Sequence, residues 1–199
     1  MLLRRAAIGD VPAIGKIIND AAEFGQMLHR SRAYLYEHIR DFQVAEIDGQ
    51  AVGVCGLNIV WANLAEVYAL AVAPAYRGQG IGGRLVLAVM EEARQLGLAK
   101  LMTLTYEKSF FERLGFTIVD RQELPLKVWS QCVYCLKNQA CDEIAMIRQI
   151  EGVPDLAQEA RVGEATESAE HEYEVPVQVN VIPRQSAGPR PLMDEAPRE

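Results

Sequence analysis

The sequence predicts an α/β domain built on a single mixed, mostly antiparallel sheet with flanking helices, followed by a C-terminal tail. Apolar residues recur at helical spacing in some segments and alternate with period two in others. The dipeptide Asp48-Gly49 joins two of the period-two segments, which is typical of a tight β-hairpin. Composition then changes near residue 150, so we expect the domain at 1–150 and the tail at 151–199.

Two helices are predicted in the first part of the domain. Asp10 is a favourable N-cap residue and precedes an apolar series at helical spacing. This series consists of Val11, Ile14, Ile17, Ile18 and Ala21. Gly25 ends the first helix, and Ser31 caps a second one. The helices lie between an opening strand at 2–6 and the strands that follow.

Three successive strands are predicted in the middle of the domain. The segment 42–47 and the segment 51–61 form the hairpin, and 64–73 forms the next strand. After them comes a helix whose buried stripe ends near Gly97. The stripe contains Ile81, Leu85, Val89 and Ala93.

The last part of the domain contains short elements only. We expect a strand at 101–105, a short helix at 109–114, and strands at 116–119 and 142–147. The resulting order is β-α-α-β-β-β-α-β-α-β-β. The repeated return from helix to strand favours one sheet with helices packed against it.

Charge is distributed unevenly along the chain. Residues 151–199 hold 11 acidic and 4 basic residues, which accounts for the whole formal net charge of −7. Residues 1–150 are therefore neutral and lack the basic excess that a nucleic-acid-binding protein needs. The tail also holds six of the nine prolines and one aromatic residue, Tyr173, which predicts an acidic, mostly disordered segment. Alternating valines at 175–181 leave an edge strand within 173–182 open as an alternative.

Localisation follows from what the sequence lacks. No apolar run approaches the roughly 20 residues that span a membrane, so we expect no membrane partner. The opening residues 1–5 lack the apolar segment of a signal peptide. Four cysteines without an export signal predict a cytoplasmic protein with reduced thiols.

The strongest chemical signal is the glycine-rich turn between the strand 64–73 and the following helix. Its residues are Arg77, Gly78, Gln79, Gly80, Ile81, Gly82 and Gly83. Backbone N–H groups of such a turn, together with the helix N-terminus, can converge on a phosphate. The dinucleotide fingerprint requires this turn after the first strand, whereas here it follows the fourth. We therefore interpret the turn as a pyrophosphate cradle, with a ligand-free connector as the alternative.

Two motifs resemble one enzyme family. Arg77-x-x-Gly80-x-Gly82 after Leu70-Ala71-Val72 is similar to motif A of the GNAT acetyltransferases, and the segment 110–116 is similar to the second signature of that family. The resemblance extends over about 3–148 and implies acetyl-CoA as co-substrate, with no metal. It implies that the cradle binds the pyrophosphate and that Phe111 lies beside the cofactor. It also implies that the Leu70 N–H polarises the acetyl carbonyl, while Ala71 and Val72 line the pantetheine arm.

A narrower resemblance concerns the acceptor. The segment 28–31, the segment 64–67 and Cys141-Asp142-Glu143 are similar to the short bacterial N-acetylglutamate synthases. This implies transfer of acetyl to the α-amine of L-glutamate by direct attack in a ternary complex, as a step of arginine biosynthesis. Three alternatives remain: acetylation of another amino acid such as glutamine, acetylation of a protein N-terminus, and a silent acyl-CoA-sensing module.

Glu66 is the candidate general base. An amino acid's ammonium is protonated at neutral pH, so amide formation requires a base. Burial in an apolar strand would raise the pKa of this carboxyl and make it a better base, and the family resemblance assigns the same role. Period two places Glu66, Tyr68, Leu70 and Val72 on one side of their strand. The alternative is a solvent-facing glutamate at a sheet edge.

The second signature departs from the family at one position. Many GNAT enzymes carry a tyrosine that protonates the leaving thiolate, whereas this chain has Phe111. Tyr106 and Tyr68 are substitutes, but a thiol with a pKa near 8.5 can also leave as thiolate without an acid, which is the interpretation we favour.

Arg30 is the candidate acceptor-binding residue, because arginine grips a carboxylate in a fork. Ser31 belongs to the same motif, and Arg32 and Arg40 are weaker candidates. The sequence thus predicts a small amino acid as partner and leaves a homodimer open.

The spacing of Cys132, Cys135 and Cys141 invites a zinc interpretation. It lacks a fourth nearby ligand, and we expect three reduced thiols instead.

Overall fold

A computed structural model describes residues 1–124 and 141–155. The predictions for Cys132, Cys135 and residues 156–199, including the alternative edge strand at 173–182, lie outside the described residues. The strands are β1 (Leu2–Arg5), β2 (Phe42–Ile47), β3 (Gln50–Trp61), β4 (Leu64–Val72), β5 (Lys100–Thr105), β6 (Thr117–Ile118) and β7 (Ile144–Gln149). The helices are α1 (Val11–Ala22), α2 (Arg32–Glu37), α3 (Ile81–Gln95) and α4 (Lys108–Glu112).

The seven strands form one sheet in the order β1-β2-β3-β4-β5-β7-β6. Every neighbouring pair is antiparallel except β4 and β5, which run parallel and are connected through α3. The prediction of a mixed, mostly antiparallel sheet is confirmed. Within the described ranges, no helix is both long and apolar enough to span a bilayer.

Helices cover both faces of the sheet. On one face, α1 and α2 pack over β2, β3 and β4, with Ile14, Ile18 and Leu35 fully buried. On the other face, the apolar stripe of α3 packs against β2, β3 and β4, with Leu85 and Val89 fully buried. Both helical stripes were predicted from their period, and burial of such side chains is the main favourable term in folding.

The two predicted helix caps have different outcomes. The Ser31 hydroxyl accepts a hydrogen bond from the Tyr34 N–H at 3.1 Å, which confirms the cap of α2. Asp10 lies at the N-cap position of α1 but makes no side-chain cap bond to that helix. Its carboxylate instead accepts from the Ala7 N–H at 2.7 Å and pairs with the Arg4 guanidinium at 2.7 Å. The charged partner outcompetes the helix N-terminus for this carboxylate.

A β-bulge in β4 overturns the predicted side-chain alternation. Val54 pairs with Ala71 and Gly56 pairs with Tyr68, so Cys55 alone faces two residues of β4, one of which, Ala69, has φ of 50°. The extra residue exchanges the sheet faces on which the side chains before and after the bulge lie. Tyr68 therefore packs with the α1 side of the sheet, whereas two residues beyond the bulge pack on the α3 side. Those two are Leu70 and Val72.

Candidate active site

The glycine-rich turn forms a concave surface at the N-terminus of α3. Gly78 and Gly80 adopt φ of 77° and 74°, and a Cβ at either position would point into open space. Gly80 occupies the N-cap position, where its carbonyl accepts from the Arg84 N–H at 3.2 Å. The turn borders a cavity of about 420 Å³, also lined by Gly82 and Gly83. The first N–H groups of a helix lack intrahelical partners, so this cavity is suited to an anion.

Two arginines add positive charge to this cavity, which we call the cradle. Arg77 and Arg113 both line it, and the Arg77 Nε donates to the Val72 carbonyl at 3.0 Å. Gln79 is exposed and lines neither this cavity nor the larger one described below. The Ile81 side chain is buried in the core, so only its backbone is suited to contact a ligand.

The larger cavity opens where β4 and β5 separate. These strands pair only through Leu64–Lys100, Ala65–Leu101 and Glu66–Met102. Beyond Glu66 they diverge, so the part of β4 that ends in 70–72 faces an open split. This split belongs to a cavity of about 1380 Å³. Val72, Arg77, Gly78, Gly82 and Phe110 line both cavities and connect them.

Glu66 lies at the point of divergence and lines the larger cavity. Burial raises the pKa of its carboxyl to about 7. The Asn58 hydrogen bond and the Arg30 charge lower the same pKa by smaller amounts. The Asn58 Nδ2 donates to the Glu66 Oε2 at 3.5 Å. The charge of Glu143, which lines the same cavity, acts in the raising direction. A carboxyl with a pKa near 7 can accept a proton at neutral pH and release it again.

Arg30 lies in the loop between α1 and α2 and lines the same cavity, as does Ser31. Its backbone N–H donates to the Asn19 Oδ1 at 2.9 Å, and its carbonyl accepts from the Asn19 Nδ2 at 3.0 Å. Its guanidinium lies over the Tyr34 ring, with Cζ 4.4 Å from the ring centroid. The loop thus holds a positively charged group in the cavity that contains Glu66.

The candidates for a general acid differ in their surroundings. Phe111 is buried, lines the larger cavity and packs edge-to-face against Phe110 and Phe116. The Tyr106 hydroxyl donates to the Asp142 Oδ1 at 2.8 Å and also lines the cavity. Burial raises the pKa of Tyr68 well above its usual range, which makes this phenol a poor proton donor to a thiolate.

Sequence reasoning missed several cavity residues. Asn58 stands directly opposite Glu66 in the β3–β4 ladder because the register shifts between Ile59 and Trp61, which the sequence did not reveal. Glu143 and Tyr34 come from segments distant in sequence from Glu66. Arg113 belongs to the second signature, but nothing in the sequence apart from its charge indicated that it lines the cradle.

The thiols show no metal cluster within the described part of the chain. No group of three or more His, Cys, Asp or Glu side chains is arranged there to hold an ion. Cys55 is buried, which raises the pKa of its thiol, and Cys141 is half-buried with its Sγ 3.7 Å from the Glu143 Oε2. Cys132 and Cys135 lie outside the described residues.

Comparison with known proteins agrees with the geometry. Residues 13–116, which include the parallel β4-α3-β5 unit and the cradle, match the model of the Acetyltransferase (GNAT) family. The chain belongs to the GNAT family. The GNAT fold and the presence of an acetyltransferase domain, both implied by the sequence motifs, are thereby confirmed.

The chain is similar to several individual acetyltransferases and to a solved synthase structure. An uncharacterized N-acetyltransferase of Chlorobaculum tepidum is 38% identical over 148 residues, which cover 74% of this chain and 96% of that protein. An amino-acid acetyltransferase of Mycobacterium tuberculosis is 36% identical over 134 residues, which cover 65% of this chain and 76% of that protein. The N-acetylglutamate synthase of Neisseria gonorrhoeae, complexed with coenzyme A and N-acetyl-glutamate, superimposes with a TM-score of 0.68 at 30% identity, covering 75% of this chain and 35% of that one.

Proposed function

We propose that this acetyl-CoA-dependent N-acetyltransferase acetylates the α-amine of L-glutamate in the cytoplasm, as a step of arginine biosynthesis. The observation that carries the proposal is the pairing of Glu66 and Arg30 in one cavity at the β4–β5 split. A base of pKa about 7 and a fixed cation suit an acceptor that carries one ammonium and two carboxylates. The similarity to the Neisseria gonorrhoeae synthase supports the same acceptor.

Acetyl-CoA would bind across both cavities. Its pyrophosphate fits the cradle, where backbone N–H groups of the glycine-rich turn and two arginines attract negative charge. Its pantetheine arm would follow the backbone of 70–72 through the split, which connects the cradle to Glu66. In this pose the Leu70 N–H donates to the thioester carbonyl and stabilises the developing oxyanion.

The reaction then needs two proton losses from the acceptor nitrogen and one displacement. The Glu66 carboxylate accepts the first proton from the acceptor ammonium, directly or through water. The free amine attacks the thioester carbonyl carbon and the C–N bond forms; the nitrogen then releases its second proton to water as the C–S bond breaks. Coenzyme A leaves as thiolate, which takes up a proton from solvent, since a thiolate of pKa near 8.5 is a tolerable leaving group.

Arg30 would hold one carboxylate of glutamate. Because its backbone is tied to Asn19 and its guanidinium lies on an aromatic ring, the arginine occupies a defined position in the cavity. If Arg30 holds the side-chain carboxylate, it favours glutamate over glutamine, because glutamine lacks that charge.

The direct test is steady-state acetyl-CoA turnover against a panel of twenty amino acids and a peptide N-terminus, with the product identified by mass spectrometry. We expect L-glutamate to give the highest kcat/KM and equal amounts of N-acetylglutamate and free coenzyme A. Preference for a neutral or cationic acceptor would replace the proposed substrate. Coenzyme A release without any acetylated product would contradict the transferase reaction.

A further inference from the structure

Arg30 and four other side chains form a closed ring of contacts at the wall of the larger cavity. The Arg30 Cζ lies 4.4 Å from the Tyr34 ring centroid and 5.9 Å from that of Tyr68. Tyr34 stacks on His38, with centroids 4.2 Å apart and planes inclined by 25°. The Asp41 Oδ2 lies 3.0 Å from the His38 Nδ1 and accepts from the Tyr68 hydroxyl at 3.1 Å, which closes the ring.

These contacts join the segment 30–41 to the separate strand β4. Arg30 lies in the loop before α2, whereas Tyr34 belongs to α2 and Tyr68 to β4. His38 and Asp41 flank the short turn that follows α2. A ring that joins a loop, a helix and a strand fixes the position of each member more tightly than a single contact does, since every member has at least two neighbours.

Stacking on a ring constrains how a guanidinium can bind. The aromatic face attracts the cation, whereas the N–H groups lie in the guanidinium plane and point away from the ring centre. The planar edge of a guanidinium held in this way matches the two oxygens of a carboxylate. The two hydrogen bonds between the Arg30 backbone and Asn19 restrict the base of the side chain as well.

We infer that Tyr34 and Tyr68, supported by His38 and Asp41, position the Arg30 guanidinium for fork-like binding of the acceptor carboxylate. This inference rests on the proposed function, which gives Arg30 its carboxylate. We call the five side chains the Arg30 clamp. In this account the two tyrosines are positioning residues, which act on the acceptor through Arg30 and not by touching it.

The kinetic test compares Tyr34→Leu and Tyr34→Phe at saturating acetyl-CoA. Loss of the ring should raise the KM for L-glutamate by about 2- to 30-fold, the range expected for a cation–π contact, with kcat and the KM for acetyl-CoA unchanged. Tyr34→Phe keeps the ring and loses only the hydroxyl that interacts with Tyr68, so its KM should stay closer to wild type than that of Tyr34→Leu. Tyr36→Leu is the matched control, because Tyr36 is an exposed residue of the same helix that does not line the cavity.

A double-mutant cycle separates positioning from direct contact. In an Arg30→Ala background, Tyr34→Leu should have no further effect on the KM for L-glutamate. An equal rise in both backgrounds would mean that Tyr34 touches the acceptor itself and would overturn the inference. An unchanged KM for Tyr34→Leu in the wild-type background, or a rise with Tyr34→Phe as large as with Tyr34→Leu, would overturn it too.

An acceptor-free measurement distinguishes failure of the clamp from failure of the proposed function. In NMR spectra of the full chain, ring currents should shift the Arg30 side-chain protons upfield; Tyr34→Leu should reduce that shift to the part due to Tyr68, while Tyr34→Phe keeps it. If the wild-type enzyme does not acetylate glutamate, the proposed acceptor is wrong; if it does but Arg30→Ala leaves the KM for glutamate unchanged, Arg30 does not bind the acceptor. If the Arg30 resonances do not respond to Tyr34→Leu, the clamp is wrong.

Discussion

The Glu66 carboxyl is subject to opposing effects. Burial disfavours its ionised form, whereas the Asn58 amide and the Arg30 charge favour it, and the balance is a pKa of about 7. A base with a pKa near the operating pH combines adequate proton affinity with adequate ionisation. Sequence reasoning identified Glu66 from its charge in an apolar strand, but it could not identify Asn58, because the strand register was not known.

The raised pKa of Glu66 predicts a pH-dependent stability difference for Glu66→Gln. In the folded protein the carboxyl titrates near 7, against 4.5 as its ordinary value, so ionisation destabilises the native state. The wild-type protein therefore keeps the full contribution of Glu66 to its unfolding free energy below pH 4.5 and loses it as the pH rises through 7. We expect Glu66→Gln to match wild type at pH 4 and to be more stable by about 1–3 kcal/mol at pH 8 in urea denaturation. A difference that is constant with pH would contradict the raised pKa.

Arg30 gives a second prediction at the scale of single residues. Arg30→Ala removes the charged partner of a hydrogen bond and should raise the KM for L-glutamate by about 10- to 150-fold, with acetyl-CoA binding intact. Arg30→Lys keeps the charge but not the fork, so it should recover part of the loss. Arg32→Ala, a neighbouring arginine that does not line the cavity, is the matched control. If glutamate and glutamine respond equally, Arg30 binds the α-carboxylate; if neither responds, it binds no acceptor.

At the scale of helices, strands and turns, the turn before α3 gives the most specific prediction. Gly80→Glu places bulk and negative charge in the cradle and should abolish acetyl-CoA binding detectable by calorimetry. Gly97→Glu controls for backbone strain, because Gly97 follows α3 with φ of 76° and open space around its Cβ position. Unchanged acetyl-CoA affinity in Gly80→Glu, or equal losses in both variants, would remove the cradle from cofactor binding.

The β4 bulge shows where prediction of elements reaches its limit. Periodicity revealed the strand, its length to within one residue and the carboxylate on it. It could not reveal that Ala69 adopts positive φ, because nothing in the residue's chemistry favours that conformation. The alternation of Tyr68 and Leu70 was therefore predicted incorrectly. Long periodic helices such as α1 and α3 were predicted well, because their buried stripes repeat over three or more turns.

At the scale of the whole molecule, the domain boundary proposed near residue 150 can be placed more sharply by truncation. Asp155 pairs with the Lys100 Nζ at 2.6 Å and accepts from the Asn63 Nδ2 at 2.5 Å, which ties the end of the described chain to β5. A chain ending at 155 should keep wild-type kcat/KM within about twofold. A chain ending at 150 should lose about 1–2 kcal/mol of unfolding free energy. Loss of activity in the chain that ends at 155 would assign a role to residues 156–199.

The central claim is that Glu66 removes the proton from an acceptor bound in the β4–β5 split, and the pH dependence of kcat/KM tests it most directly. For the wild-type enzyme with L-glutamate, log kcat/KM should rise with pH and bend near 7, where the Glu66 carboxyl titrates. Glu66→Gln should be slower by about 10²–10⁴-fold at pH 7, should lack this bend, and should continue to gain rate as the free amine accumulates. Wild-type turnover in Glu66→Gln at pH 7, or a bend near 7 that persists in the variant, would contradict the account.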